Sequence, residues 1–139
     1  MASTPTASPV PLFRNIIVGV DGGPGGRDAA ALAHRLMDPA GTLTLVHVHV
    51  GEVPLVPYAM SWDAAERDAA LRLLDRERAH IDPAAEVVAT AAPSPGEGLH
   101  RLAERRAADL IFVGSCSRTL MGRVLVGDDA RSALNGAPC

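Results

Sequence analysis

Asp109-Leu-Ile-Phe-Val-Gly-Ser-Cys-Ser-Arg-Thr-Leu-Met-Gly-Arg-Val-Leu-Val-Gly-Asp-Asp-Ala-Arg-Ser-Ala-Leu-Asn-Gly-Ala-Pro-Cys139 decides the fold. The apolar run from Leu110 to Val113 is bounded by Gly114, and it predicts a short strand covered on both faces. Gly114 opens a loop that closes at Gly127, and a helical pattern follows from Asp128 to Leu134. A strand that passes through a glycine-led loop into a helix presents backbone amides that can surround an anion.

Upstream, the same alternation of strand and helix recurs. Asn15 to Val20 predicts a strand, and Pro24 to Met37 a helix whose glycine-rich start, Gly22-Gly-Pro-Gly-Gly26, places proline where the first helical turn tolerates it. Thr42 to His49 alternates and contains three valines, so it predicts the second strand. Pro54 and Pro57 interrupt the stretch from Gly51 to Met60. Ser61 is the expected cap of a helix reaching about His80, with Asp63 to Arg67 and Asp68 to Arg72 as pairs along its exposed side. Glu86 to Ala91 predicts the third strand and Gly96 to Ala107 the third helix. Strands separated by helices of this length imply right-handed crossovers and a mostly parallel α/β sheet covered by helices on both faces.

The chain has 139 residues and is 47% hydrophobic, enough for one domain with one core and short for two. Aromatic residues are only 3%, so alanine, valine, leucine and isoleucine must build that core. A net charge of −3 gives no general attraction to nucleic acid or to an anionic membrane. All 13 basic residues are arginine, which grips anions through a planar fork. Cys116 and Cys139 lack the paired spacing of a zinc site and are too few for a disulfide framework, which suits a reducing cytoplasm. Met1 to Pro11 has no signal-peptide pattern, no run reaches membrane-spanning length, and residues 1–12 read as a disordered Ser/Thr/Pro-rich tail.

Gly114, Ser117 and Gly127 follow a spacing that resembles the G-x2-G-x9-G-[S/T] signature of the universal stress protein family. Ser117 replaces the second glycine and Asp128 the final hydroxyl residue. Phe13-Arg-Asn-Ile-Ile-Val-Gly-Val-Asp-Gly-Gly23 is similar to the family's opening strand and aspartate turn. Leu45-Val-His-Val48 resembles the end of its second strand, and Ala137-Pro-Cys139 matches the family pattern before a final strand. The resemblance covers residues 13–139. It implies a three-layer, doubly wound parallel sheet of the adenine-nucleotide-hydrolase-like kind, in the order 3-2-1-4, with the family's fifth strand missing after Cys139. That would leave strand four with an open edge, to be covered by a homodimer or a tandem stress-protein domain.

In a doubly wound sheet the ligand sits beyond the carboxyl ends of the strands where the winding reverses, here between strands one and four. The resemblance implies adenine nucleotide, ATP with or without magnesium, held by Asp21, Val48, Val113, Gly114, Ser115, Ser117, Gly127 and Asp128. Asp21 would contact the adenosine moiety or the metal-phosphate group, or else cap the first helix. Val48 would offer its backbone to adenine, or be plain core. His47 reads as a satisfied, partly buried histidine. Gly114 suits a phosphate loop and a bare strand-to-loop turn alike. Arg118 and Arg123 would reach a triphosphate or stay solvated.

Asp128 argues against tight phosphate binding. It places a carboxylate where the motif has a hydroxyl, and unit charges about 4 Å apart repel by roughly 1 kcal/mol in water and about 4 kcal/mol at an effective dielectric of 20. A bridging magnesium or the loop arginines would offset this. No nucleophile elbow, HExxH, P-loop lysine or GxGxxG is present, and the five histidines are scattered, so a binding protein rather than an enzyme is expected. His47 and His49 share a strand face but form only half of a metal site. Three functions are weighed: a stress-response sensor that binds ATP through a degraded phosphate motif, a nucleotide-free interaction module that dimerises or docks in a tandem protein, and, against the missing catalytic base, a nucleotide hydrolase of the wider adenine-nucleotide-binding superfamily.

Overall fold

The computed structural model describes residues 13–51, 64–114 and 128–139, without the side chains of residues 128 and 129. In chain order they form β1 (Phe13–Gly19), α1 (Pro24–Leu36), β2 (Met37–Val50), α2 (Ala64–Ile81), β3 (Glu86–Ala92), α3 (Pro95–Arg106), β4 (Leu110–Val113) and α4 (Asp128–Leu134). The four strands are parallel, in the order β3-β2-β1-β4. The expected α/β class and strand order are therefore found. The tail over residues 1–12 and the expected cap Ser61 lie outside the described residues.

Alternate side chains of each strand enter two separate cores, as the period of two requires. Ile16, Val18, Leu43 and Leu45 pack with Ala29, Ala30, Ala33 and Leu74 under α1 and α2. Ile17 and Val46 pack with Leu99, Leu102, Ala103 and Ala133 under α3 and α4. With helices on both faces, the central strands β1 and β2 are buried through Ile16, Ile17, Val18, Leu43, Leu45 and Val46. β4 is different: its residues Leu110, Ile111, Phe112 and Val113 are each half-buried, where the apolar run suggested full cover. Among the described residues its one strand neighbour is β1, so it lacks the second flank that buries β1 and β2.

β2 begins five residues before the alternating pattern does, at Met37 rather than Thr42. The register jumps from Phe13↔Met37 to Asn15↔Thr42, so Asp38-Pro-Ala-Gly41 bulges out of the ladder. Asp38 Oδ1 accepts a hydrogen bond from the Ala40 amide at 2.9 Å, and a Cβ on Gly41 would lie 2.8 Å from the Arg14 carbonyl oxygen. This bulge is why the alternation becomes visible only at Thr42. Along α2 the ion pairs among the described residues are Arg78 with Asp75, Arg27 with Glu77 and His49 with Glu66, not Asp68 with Arg72, and Asp63 of the other expected pair lies outside them.

Asp109 pins the amino end of the sheet. Its carboxylate accepts from the amides of Arg14 at 2.7 Å and Asn15 at 3.0 Å, while its own amide donates to the Asn15 carbonyl at 2.9 Å. Cys139 is an exposed free cysteine whose thiol pKa is pushed up, by the desolvation it does undergo first and by the Asp109 charge second.

Candidate functional site

The carboxyl edge of the sheet is stepped. The β1 ladders end at Gly19, opposite Val46 and Val113, whereas β2 and β3 stay paired as far as Val50↔Ala92. At about 3.3 Å per residue, the β2–β3 pair rises roughly 13 Å above the ends of β1 and β4. The turn leaving β1 and Gly114 at the end of β4 thus lie lower, and β2 forms a wall beside them. The crevice coincides with the reversal of winding, because α1 packs on one face of the sheet and α4 on the other.

At the foot of the wall, two bonds hold the exit of β1. The Val20 amide donates to the Val46 carbonyl at 2.8 Å, and His47 Nδ1 lies 2.9 Å from the Val20 carbonyl oxygen. A carbonyl only accepts, so Nδ1 carries the proton. His47 is therefore the satisfied, half-buried histidine expected, and it steadies the turn that carries Asp21.

Asp21 Oδ1 accepts the Gly23 amide at 2.8 Å. The first helical cap is Gly23 itself, with no side-chain bond, so Asp21 is not the helix cap. It closes an Asx-type turn just ahead of α1. Its side chain is exposed. Gly22 follows at φ +85°, a conformation that favours glycine, against Leu73 of α2. Asp21→Ala is expected to cost no more than a lost cap, about 1 kcal/mol, measured by chemical denaturation.

Gly114 meets α1 backbone to backbone. A Cβ there would sit 2.3 Å from the Gly25 carbonyl carbon, 2.5 Å from its oxygen and 2.6 Å from the Gly26 nitrogen. A Cβ on Gly26 would in turn lie 3.3 Å from Asp21 Oδ1. Asp21 and Gly114 therefore flank the same glycine, as the strand order required. Val113, the last residue of β4, packs into the α3–α4 core and faces Gly19 across the ladder.

Val48 stands on the wall. Its side chain presses on α3, where a Cβ on Gly98 would lie 2.7 Å from Val48 Cγ1. Its peptide edge follows from alternation along the strand. Val46 directs its carbonyl to β1, accepting from Val20, and Gly51 directs its amide to β3, donating to the Ala92 carbonyl at 3.4 Å. Val48, two residues after Val46, turns its amide and carbonyl to the β1 side, above the point where β1 has ended.

Ser115, Ser117 and Gly127 lie outside the described residues, as do Cys116, Arg118 and Arg123. α4 begins at Asp128. Of the charged groups around the step, His49 Nε2 sits 3.5 Å from Glu66 Oε2, tying the wall to α2. Arg27 Nε contacts both oxygens of the buried Glu77 at 3.0 and 2.9 Å, and that bond, followed by the Glu77 charge, raises the Arg27 pKa. No group of three or more His, Cys, Asp or Glu side chains is disposed to hold a metal among the described residues.

A feature not anticipated from sequence lies between α3 and α4. Ser94 caps α3 by accepting the Glu97 amide at 3.2 Å, Ser132 Oγ lies 3.3 Å from Ser94 Oγ, and His100 Nε2 lies 2.6 Å from the Ala133 carbonyl oxygen. These side chains line an open groove with Glu97, Arg131 and Asn135. The Ser94-x-x-Glu97 capping signature was its one legible sign.

The universal stress protein family model matches residues 12–139. The chain belongs to the universal stress protein family. No curated protein matches it. Among solved structures, it is 20% identical to a universal stress protein from Archaeoglobus fulgidus, with a TM-score of 0.63 over 91% of this chain and 94% of that one. It is 22% identical to UspA from Lactobacillus plantarum, with a TM-score of 0.65 over the same shares of the two chains, 91% and 94%. A universal stress protein in complex with cAMP is 19% identical, with a TM-score of 0.57 over 91% of this chain and 92% of that one. At these identities the likeness establishes the fold. Among the described residues no helix is long and apolar enough to cross a membrane.

Proposed function

We propose that this universal stress protein is a cytoplasmic stress-response sensor that binds adenine nucleotide, ATP included, without turning it over. The observation that carries the reading is the peptide edge of Val48, which has no backbone partner on the β1 side among the described residues. One amide donor and one carbonyl acceptor on the same residue match the N1 acceptor and N6 donor of adenine's Watson–Crick edge. Asp21 and Gly114 lie at the foot of the same wall, where the rest of a nucleotide would extend. That a relative of this fold is described in complex with cAMP adds support. Binding without turnover rests on the sequence, which lacks any recognised nucleophile and base pairing.

The test is ATP with magnesium. Binding at a hundredfold excess over Kd stabilises the fold by about 2.7 kcal/mol, and NMR shifts should concentrate at residues 19–23, 48 and 113–114. No stabilisation, or shifts confined to the Pro54 to Met60 stretch, would reject it. Asp128→Ser is expected to tighten ATP binding at least about fivefold, read by titration calorimetry, since it removes a carboxylate from the phosphate position. An unchanged affinity would indicate that a magnesium ion bridges Asp128 to phosphate.

A nucleotide-free module in a tandem or dimeric protein is the second reading. One observation favours it: the chain matches 91% of its own length to only 42% of a longer universal stress protein from Archaeoglobus fulgidus. Light scattering of the purified chain, with and without nucleotide, separates the two.

A further inference from the structure

Resting on the adenine-binding reading, we infer that Glu77 is a positioning residue: through Arg27 it fixes α1 along its own axis and so sets where α1 meets Gly114 at the foot of the crevice. The argument starts with what α1 lacks. Its buried residues are Gly26, Ala29, Ala30 and Ala33, packed on Ile16, Val18, Leu43 and Leu45. A face of glycine and alanine has no large side chain to seat between those of its neighbour. Apolar burial is also non-directional, so it holds α1 on the sheet without fixing where along its axis it stops. Yet that place must be fixed, because a Cβ on Gly114 would already lie 2.3 Å from the Gly25 carbonyl carbon.

The pair between α1 and α2 supplies the missing direction. Arg27 follows Gly26 in the same helix, and its Nε donates to both carboxylate oxygens of Glu77, at 3.0 and 2.9 Å. The Glu77 side chain is only 4% exposed, and Arg27 is its one ion-pair partner among the described residues. Apolar residues of similar volume in place of a buried ion pair are often neutral or stabilising, so stability alone does not explain a carboxylate here. What the pair adds is geometry, since a charge-assisted hydrogen bond holds over a narrow range of distance and angle. Leu73, one helical turn before Glu77, adds a second point of contact: a Cβ on Gly22 would lie 2.9 Å from Leu73 Cδ1. One face of α2 therefore touches the turn after β1 and, through Arg27, the helix that Gly114 abuts. Being buried, Glu77 acts through these neighbours and not on a ligand.

The test compares the full chain with Glu77→Met, which fills the site without a charge, and Glu77→Gln, which keeps an acceptor for Arg27 Nε. Three quantities are read: the denaturation midpoint, the affinity for ATP with magnesium by titration calorimetry, and the ligand-free amide shifts of Gly22, Gly25, Gly26 and Gly114. Glu77→Met is expected to unfold at or above the parent's midpoint and to bind roughly 2- to 30-fold more weakly, the range that residues outside a ligand's contacts carry. Its amide shifts should move at all four glycines, Gly114 included. Glu77→Gln should stay near the parent in affinity and in shifts. A merely structural pair would instead lower the midpoint and leave the affinity of the folded protein alone. A lowered midpoint in Glu77→Met, or an affinity equal to the parent's, would overturn the inference while leaving adenine binding intact. If the parent binds no adenine compound, the proposed function falls and the ligand-free shifts decide this inference alone. Movement at Gly114, on a separate strand, then supports it, and movement confined to residues 22–27 and 73–77 overturns it.

Discussion

Gly114→Ala is expected to destabilise the protein by about 3 kcal/mol and to abolish any nucleotide response. The added methyl would sit 2.3 to 2.6 Å from three backbone atoms of Gly25 and Gly26. No rotamer change can relieve a clash with main chain, so either β4 or the first turn of α1 must move. Overpacking of a close-packed contact costs about 1–3 kcal/mol and occasionally more, and a backbone neighbour puts this case at the upper end. For a domain of this size that corresponds to a fall in Tm of roughly 10 °C. Gly114 is not at positive φ, since among the described glycines only Gly22 and Gly136 are. The requirement is therefore space, not conformational freedom. A variant that melts like the parent would show that the β4–α1 contact is looser than described.

The same glycine shows what could be read from sequence and what could not. The run Leu110 to Val113 followed by glycine identified β4 and its exit, because short apolar runs with glycine punctuation are local signals. Which backbone presses on that exit depends on a partner some ninety residues away in sequence, and no local pattern carries it. Asp21 illustrates the same limit. An aspartate before a glycine-rich helix start suggests a cap, but the cap falls two residues later, on Gly23, after Gly22 at φ +85°. The strand order was legible only through the family resemblance, whereas a parallel sheet covered on both faces was legible because strands alternate with helices along the chain. The height of the wall was not legible. β2 and β3 outlast β1 through residues that are individually unremarkable, and the step that exposes Val48 arises from unequal strand lengths across the ladder.

Gly96→Ala is expected to shift α4 and to lower stability by about 2–3 kcal/mol. A Cβ on Gly96 would lie 2.3 Å from Ser132 Oγ, 2.4 Å from the Ser132 carbonyl carbon and 2.5 Å from its oxygen. The hydroxyl can rotate away, but the carbonyl cannot, so α3 and α4 must separate. Separation stretches two further ties, the bond between His100 Nε2 and the Ala133 carbonyl at 2.6 Å and the contact between the Ser132 and Ser94 hydroxyls at 3.3 Å. It also loosens the small core where Ala133 packs on Leu99, Leu102 and Ala103. Helix propensity pulls the other way, because alanine is better than glycine in a helix by up to about 1 kcal/mol, but the gain is small at a first-turn position. Overpacking against main chain therefore wins. The measurements are a denaturation midpoint and the amide exchange rates of residues 128–134. A stabilised variant, with exchange in α4 unchanged, would mean that propensity decides and that the α3–α4 contact yields at little cost.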